Sequence, residues 1–121
     1  MLLEKKQIYI VEDDESVGRA LKILMMTYGF GVELFITAEN FFSAVAIGTP
    51  GCLILDIHLP GMSGWEAKKQ ISESGSKRPV IMITADKEEG LRERALKAGA
   101  IGYLQKPFTD QELIHLTNLA F

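Results

Sequence analysis

Residues 52–64, Cys-Leu-Ile-Leu-Asp-Ile-His-Leu-Pro-Gly-Met-Ser-Gly, constrain the fold more than any other stretch of the chain. The apolar run Leu53 to Leu55, bounded by Gly51 and Pro60, predicts a strand buried on both faces, as in a parallel sheet. The run ends on a carboxylate, Asp56, and Pro60-Gly61 then makes a turn. Ser63 with Glu66 three residues on forms a capping box, so a helix begins there. A single acid is thereby held at the carboxyl end of a central strand, the rim where open α/β sheets bind ligands.

The same punctuation recurs along the chain. Ile8–Val11 predicts a first strand, followed by Glu12-Asp13-Asp14 and a helix from about Glu15 to Tyr28. Gly31–Ile36 predicts a second strand, and Thr37 caps a helix over Glu39–Ile47 that Gly48 closes. The helix after Ser63 stops at Gly75, and Pro79–Thr84 is the fourth strand. Asp86, with Glu89 three on, predicts the cap of a helix ending at Gly99. Ala100–Leu104 is the fifth strand, and the Thr109–Glu112 capping box opens a last helix. Strands alternating with helices imply right-handed crossovers and a parallel sheet. The expected fold is a three-layer α/β sandwich of five strands and five helices in one domain spanning 1–121.

Composition excludes some classes of function. The net charge is −3 and no basic patch is present, so no nucleic acid is expected to be contacted by this domain itself. The apolar runs are too short to span a membrane, and Met1-Leu2-Leu3 runs straight into Glu4-Lys5-Lys6 without a signal-peptide core. A single cysteine, Cys52, reads as a buried free thiol, consistent with a reducing cytoplasm.

The predicted strand ends gather an unusual set of side chains: Glu12 and Asp13, Asp56, Thr84, and, just past the fifth strand, Lys106-Pro107. Any one acid at such a position reads as a helix cap. Together they carry more weight. Two carboxylates about 4 Å apart repel by roughly 4 kcal/mol at an effective dielectric of 20. A hard divalent ion such as Mg2+ relieves that repulsion and recruits phosphate oxygens. Asp56 is then a natural nucleophile toward phosphorus, because carboxylates form acyl phosphates. Asp14 reads as an N-cap, His58 as an exposed loop side chain, and Trp65 as packing at the start of its helix.

The set Val11-Glu12-Asp13-Asp14, Leu55 to Gly64, Ile83-Thr84-Ala85 and Lys106-Pro107-Phe108 resembles the receiver domain of two-component response regulators over essentially the whole chain. The resemblance implies the flavodoxin-like strand order 2-1-3-4-5, the order of chemotaxis receivers. It implies that Asp56 accepts a phosphoryl group from a histidine kinase or histidine phosphotransfer protein. Glu12, Asp13, Asp56 and the backbone carbonyl of His58 would hold Mg2+, with Mn2+ as a substitute. Thr84 and Lys106 would bind phosphoryl oxygens, Lys106-Pro107 would be cis, and Tyr103 would be the aromatic switch. The fourth helix, fifth strand and fifth helix would then form the face that changes, through homodimerisation on phosphorylation or through an output domain outside these residues. The Leu59-Pro60-Gly61-Met62-Ser63-Gly64 loop is similar to receivers joined to helix-turn-helix transcription regulators.

A true phosphohydrolase is an alternative. It would call for a second aspartate two residues after the nucleophile, where this chain has His58. A flavodoxin-like cofactor binder would need a phosphate-cradling loop after the first strand, and Glu12-Asp13-Asp14 would repel phosphate there. On the first helix, Val17, Ala20, Leu21, Leu24 and Tyr28 are expected on the core side. Arg19, Ile23 and Met26 fall on the outer side and are expected to dock the kinase or phosphotransfer partner.

Overall fold

Alternate residues of each central strand serve different layers. Tyr9, Val11, Leu53, Leu55, Val80 and Met82 enter one core cluster; Ile8, Ile10, Cys52, Ile54, Ile81 and Ile83 enter the other. The computed structural model describes residues 5–121. Its strands are β1 (Gln7–Val11), β2 (Gly31–Phe35), β3 (Cys52–Asp56), β4 (Val80–Thr84) and β5 (Gly102–Gln105). Its helices are α1 (Glu15–Thr27), α2 (Ala38–Ala44), α3 (Gly64–Glu73), α4 (Leu91–Lys97) and α5 (Asp110–Leu119). The strands form one parallel sheet in the order β2-β1-β3-β4-β5. Ala38 and Phe41 of α2, Ala67 and Ile71 of α3 and Ala95 of α4 cover one face; Leu21 and Met25 of α1 and Leu113 of α5 cover the other. Each buried Leu, Ile or Met contributes about 1.5–3 kcal/mol by leaving water. β3 and β4 are buried along their whole length, which explains their unbroken apolar runs.

Local capping follows the sequence closely. Asp14 accepts the Ser16 and Val17 amides, and Thr37 accepts that of Asn40. Ser63 with Glu66 and Thr109 with Glu112 form complete capping boxes. Cys52 is a buried free thiol.

Other expectations need correction. The second helix ends at Ala44 rather than Ile47, because Val45 turns into extended backbone to bury its side chain. The carbonyl of Ala46 accepts from the Thr49 amide of the following turn at 3.0 Å and from the Arg78 guanidinium at 3.3 Å. The fourth helix starts at Leu91, not at Asp86: Gly90 precedes it in a left-handed conformation, φ 85°, and makes no side-chain cap. β5 begins at Gly102, two residues later than expected. The buried stripe of α1 runs through Gly18, Leu21 and Met25, with Val17 and Leu24 half-buried against the same core as expected, whereas Ala20 and Tyr28 are exposed. Gly18 lets the helix lie close against Leu34 of β2, and that approach turns the stripe.

Two cation–aromatic stacks brace the face of the sheet covered by α2, α3 and α4. At the end of the sheet away from Asp56, the Arg78 guanidinium lies 5.1 Å from the Tyr9 ring centre and 5.6 Å from that of Phe41. On the α3–α4 side, Arg94 lies 4.0 Å from the centre of the Trp65 ring.

The β3–α3 connection is held by close backbone packing. Gly64, the first residue of α3, donates its amide to Ile57 O at 2.8 Å. A Cβ on Gly64 would overlap the Asp56 carbonyl oxygen and stand 2.6 Å from Ile57 Cα, backbone that cannot yield. Gly64→Ala is expected to destabilise the fold by about 1–3 kcal/mol in denaturant titration. Gly48→Ala, where the added methyl meets nothing within 4 Å, serves as the near-neutral control.

Candidate functional site

Register brings the strand ends together. Val11 pairs with Leu55, Asp56 with Ile83, and Thr84 with Gln105, so the residues that follow β1, end β3 and β4 and follow β5 share one edge. Glu12 sits there 1% exposed and Asp56 4% exposed, while Asp13 is open to solvent. Carboxylate oxygens of Glu12, Asp13 and Asp56 all lie within 4.8 Å of one another.

Lys106 answers this crowding. Its Nζ donates to Asp56 Oδ2 at 2.8 Å and also to Glu12 Oε1. Its backbone amide donates to Thr84 O at 2.7 Å, and the Lys106–Pro107 peptide is cis. Burial works against the ammonium charge, but hydrogen bonds to Asp56 and Glu12 outweigh it and raise the Lys106 pKa. Burial pushes the Glu12 carboxyl up to about 8, Asp56 adds in the same direction, and Lys106 pulls it back. The Glu12 carboxyl is therefore harder to ionise than a free glutamate.

Thr84 is fully buried, and its Oγ1 accepts the Asp86 amide at 3.0 Å. The His58 amide donates to Asp56 Oδ1 at 2.9 Å, which folds the β3–α3 loop over the acid. Glu39 Oε2 accepts from the Met62 amide at 3.1 Å and ties the same loop to α2. Tyr103 is half-buried, packed against the α2–α3–α4 core cluster, and burial followed by Asp86 raises its pKa. Ile23 and Met26 of α1 are 65% and 53% exposed, and Arg19 is exposed beside them. His115 is exposed on α5.

Sequence reasoning missed one pair. His58 Nε2 lies 2.8 Å from Asp86 Oδ2, bridging the β3–α3 and β4–α4 loops. The Glu88 amide first, and His58 second, hold Asp86 below the ordinary carboxylate range. The only signal was positional: each residue lies two past a site residue, Asp56 or Thr84.

The donor set suits a hard cation. Every side-chain ligand is a carboxylate oxygen, and Glu12 Oε2 is buried without a hydrogen-bond partner among the described residues. An orphaned buried acceptor costs about 1–3 kcal/mol, which a cation at this edge offsets. Mg2+ takes such oxygens and retains waters for a phosphate to displace.

The comparisons agree with this geometry. Residues 8–118 match the family model described as the response regulator receiver domain. The chain is 39% identical to the response regulator protein TodT of Pseudomonas putida over 107 residues, covering 88% of this chain and 47% of TodT. It superposes on the solved structure of the response regulator StyR with a TM-score of 0.89 at 38% identity, covering 97% of this chain and 59% of that one. It superposes on FixJ-N with a TM-score of 0.88 at 30% identity, covering 98% and 94%. The chain thus spans about half the length of the curated relatives it matches.

Because Glu12 must lose its proton before its charge can favour a cation, Mg2+ affinity is expected to rise with pH and level off above about pH 8. The rise below that point is up to about tenfold per pH unit. Isothermal titration calorimetry in buffers of differing ionisation enthalpy should detect the released proton. A pH-independent affinity would contradict the protonated Glu12.

Proposed function

The chain belongs to the response regulator receiver domain family, and from that premise we propose that Asp56 accepts a phosphoryl group from the phosphohistidine of a histidine kinase or histidine phosphotransfer protein. One observation carries the reading: among the crowded acids, Asp56 alone is hydrogen-bonded both by the Lys106 ammonium and by a loop amide. An Asp56 oxygen attacks phosphorus, the phosphorus–nitrogen bond of the donor breaks, and its electron pair returns to the imidazole. Lys106 exchanges its bond to Asp56 for one to a phosphoryl oxygen, and the Thr84 hydroxyl donates to another. Glu12, Asp13, Asp56 and the His58 carbonyl would hold Mg2+, or Mn2+ in its place, which when bound neutralises charge on the transferring oxygens. The domain is a switch whose only catalysis is slow self-phosphorylation and self-dephosphorylation. With His58 two residues past the acceptor in place of a second aspartate, a turnover phosphohydrolase is disfavoured.

In this reading Thr84 moves toward the phosphoryl group and Tyr103 turns into the space it leaves. The face made by α4, β5 and α5 changes with it. That face then contacts an output domain or a second copy of the chain, in the service of transcriptional control. Residues 1–121 act as one receiver domain.

The partner that delivers the phosphoryl group docks on α1. Arg19, Ile23 and Met26 form its outward stripe, and Ile23 also lines an apolar groove of about 980 Å³ between α1 and the segment Lys106 to Phe108. The groove reaches Lys106 itself, so an occupant there lies beside the acceptor.

Incubation with acetyl phosphate and Mg2+ is expected to add the mass of one phosphoryl group in acid-stable, base-labile form, and Asp56→Asn to abolish the gain in intact-protein mass spectrometry. A gain that survives Asp56→Asn would refute the assignment. Ile23→Glu is expected to slow transfer from the cognate kinase by roughly tenfold, as loss of a docking anchor does, while labelling by acetyl phosphate stays at the wild-type rate. An unchanged kinase rate would remove α1 from the docking surface.

A further inference from the structure

We propose that Glu39 is a positioning residue for the acceptor site: it straps the β3–α3 loop to α2 and so holds the His58 carbonyl ready for a divalent cation. The proposal deepens the reading of Asp56 as phosphoacceptor and rests on it. Glu39 Oε2 accepts from the Met62 amide at 3.1 Å, a contact between residues 23 positions apart. Among the described residues it is the one hydrogen bond that joins residues 59–62 to another element. The base of the loop is fastened otherwise. The His58 amide donates to Asp56 Oδ1 and the Ile57 amide to Ile83 O, both at 2.9 Å, and the Gly64 amide donates to Ile57 O at 2.8 Å. Those bonds fix where the loop starts and ends but not its crest.

The crest is shaped to receive the carboxylate. Gly61 adopts a left-handed conformation, φ 70°, and a Cβ there would overlap Glu39 Oε2. The missing side chain at Gly61 therefore admits Glu39, and Met62 beside it supplies the donor. Glu39 is presented by a well-fixed helix start: Thr37 accepts the Asn40 amide at 3.0 Å, and Ala38 and Phe41 are buried. In the sheet order β1 lies between β2 and β3, and it leads into Glu12 and Asp13. The Glu12 amide donates to Phe35 O at 2.9 Å, so the β2–α2 junction that carries Glu39 is registered to the same acids. Glu39 thus sets the loop against the strand end that carries the other carboxylates, while standing outside their cluster itself. Ordering a free loop costs free energy when a cation binds, and a strap that orders it beforehand lowers that cost.

Glu39 is exposed, so water competes for its bond and the effect is modest. The test titrates Mg2+ into the metal-free wild type, Glu39→Ala and Glu39→Gln by isothermal titration calorimetry. Glu39→Ala is expected to weaken Mg2+ binding about three- to fivefold. Glu39→Gln keeps an oxygen that can accept from Met62 but carries no charge, and is expected to stay within about twofold of the wild type. In the metal-free protein the Met62 amide should exchange its hydrogen faster in Glu39→Ala, with the Gly64 amide unchanged. Labelling of Glu39→Ala by acetyl phosphate should slow at limiting Mg2+ and return to the wild-type rate at saturating Mg2+. Equal Mg2+ affinities in all three proteins would overturn the strap and leave the acceptor assignment intact. Glu39→Gln as weak as Glu39→Ala would also overturn it, because the residue would then act through its charge. Labelling of the wild type reports on the acceptor separately: its absence would overturn that reading whatever the Mg2+ affinities.

Discussion

Crowding of carboxylates at one sheet edge is the constraint that orders the rest of the structure. Glu12 and Asp56 are both buried, and neighbouring strands bring them together whether or not their charges allow it. Like charges so close at low dielectric are tolerable only with a counter-charge. Lys106 supplies it from 94 residues away along the chain in one case and 50 in the other. Burial, and Asp56 after it, raise the Glu12 pKa and so oppose a second full charge there. Among the described residues Glu12 Oε2 still lacks a hydrogen-bond partner. A site left short of positive charge is one ready to receive a cation and, with it, a transferable anion.

Much of this was legible because it is written locally. Apolar runs of strand length, each ending on a polar residue and followed by a cap, gave the element order and the parallel sheet. Once the sheet is parallel, every strand's carboxyl end falls on the same edge, so Glu12, Asp13, Asp56, Thr84 and Lys106 could be grouped before any distance was known. The capping boxes at Ser63 and Thr109 read correctly because both partners lie within one turn.

The misreadings share a cause: a long-range contact overrides a local preference. Asp86 looks like a helix cap, but His58 and the Glu88 amide hold it in a loop, and Gly90 opens the helix instead. The second helix stops early where Val45 turns to extended backbone and buries its side chain. The face of α1 is rotated because Gly18 admits Leu34, a contact between elements that no periodicity in the helix alone could reveal. Ile23 and Met26 remain exposed despite that rotation.

The stack of Arg94 on Trp65 has one more consequence. Trp65 is the sole tryptophan of the chain, and its partner belongs to α4. Any displacement of that helix relative to α3 alters the field and packing around a single indole. The protein thus carries its own intrinsic fluorophore against α4, and its emission can follow that helix without an added label.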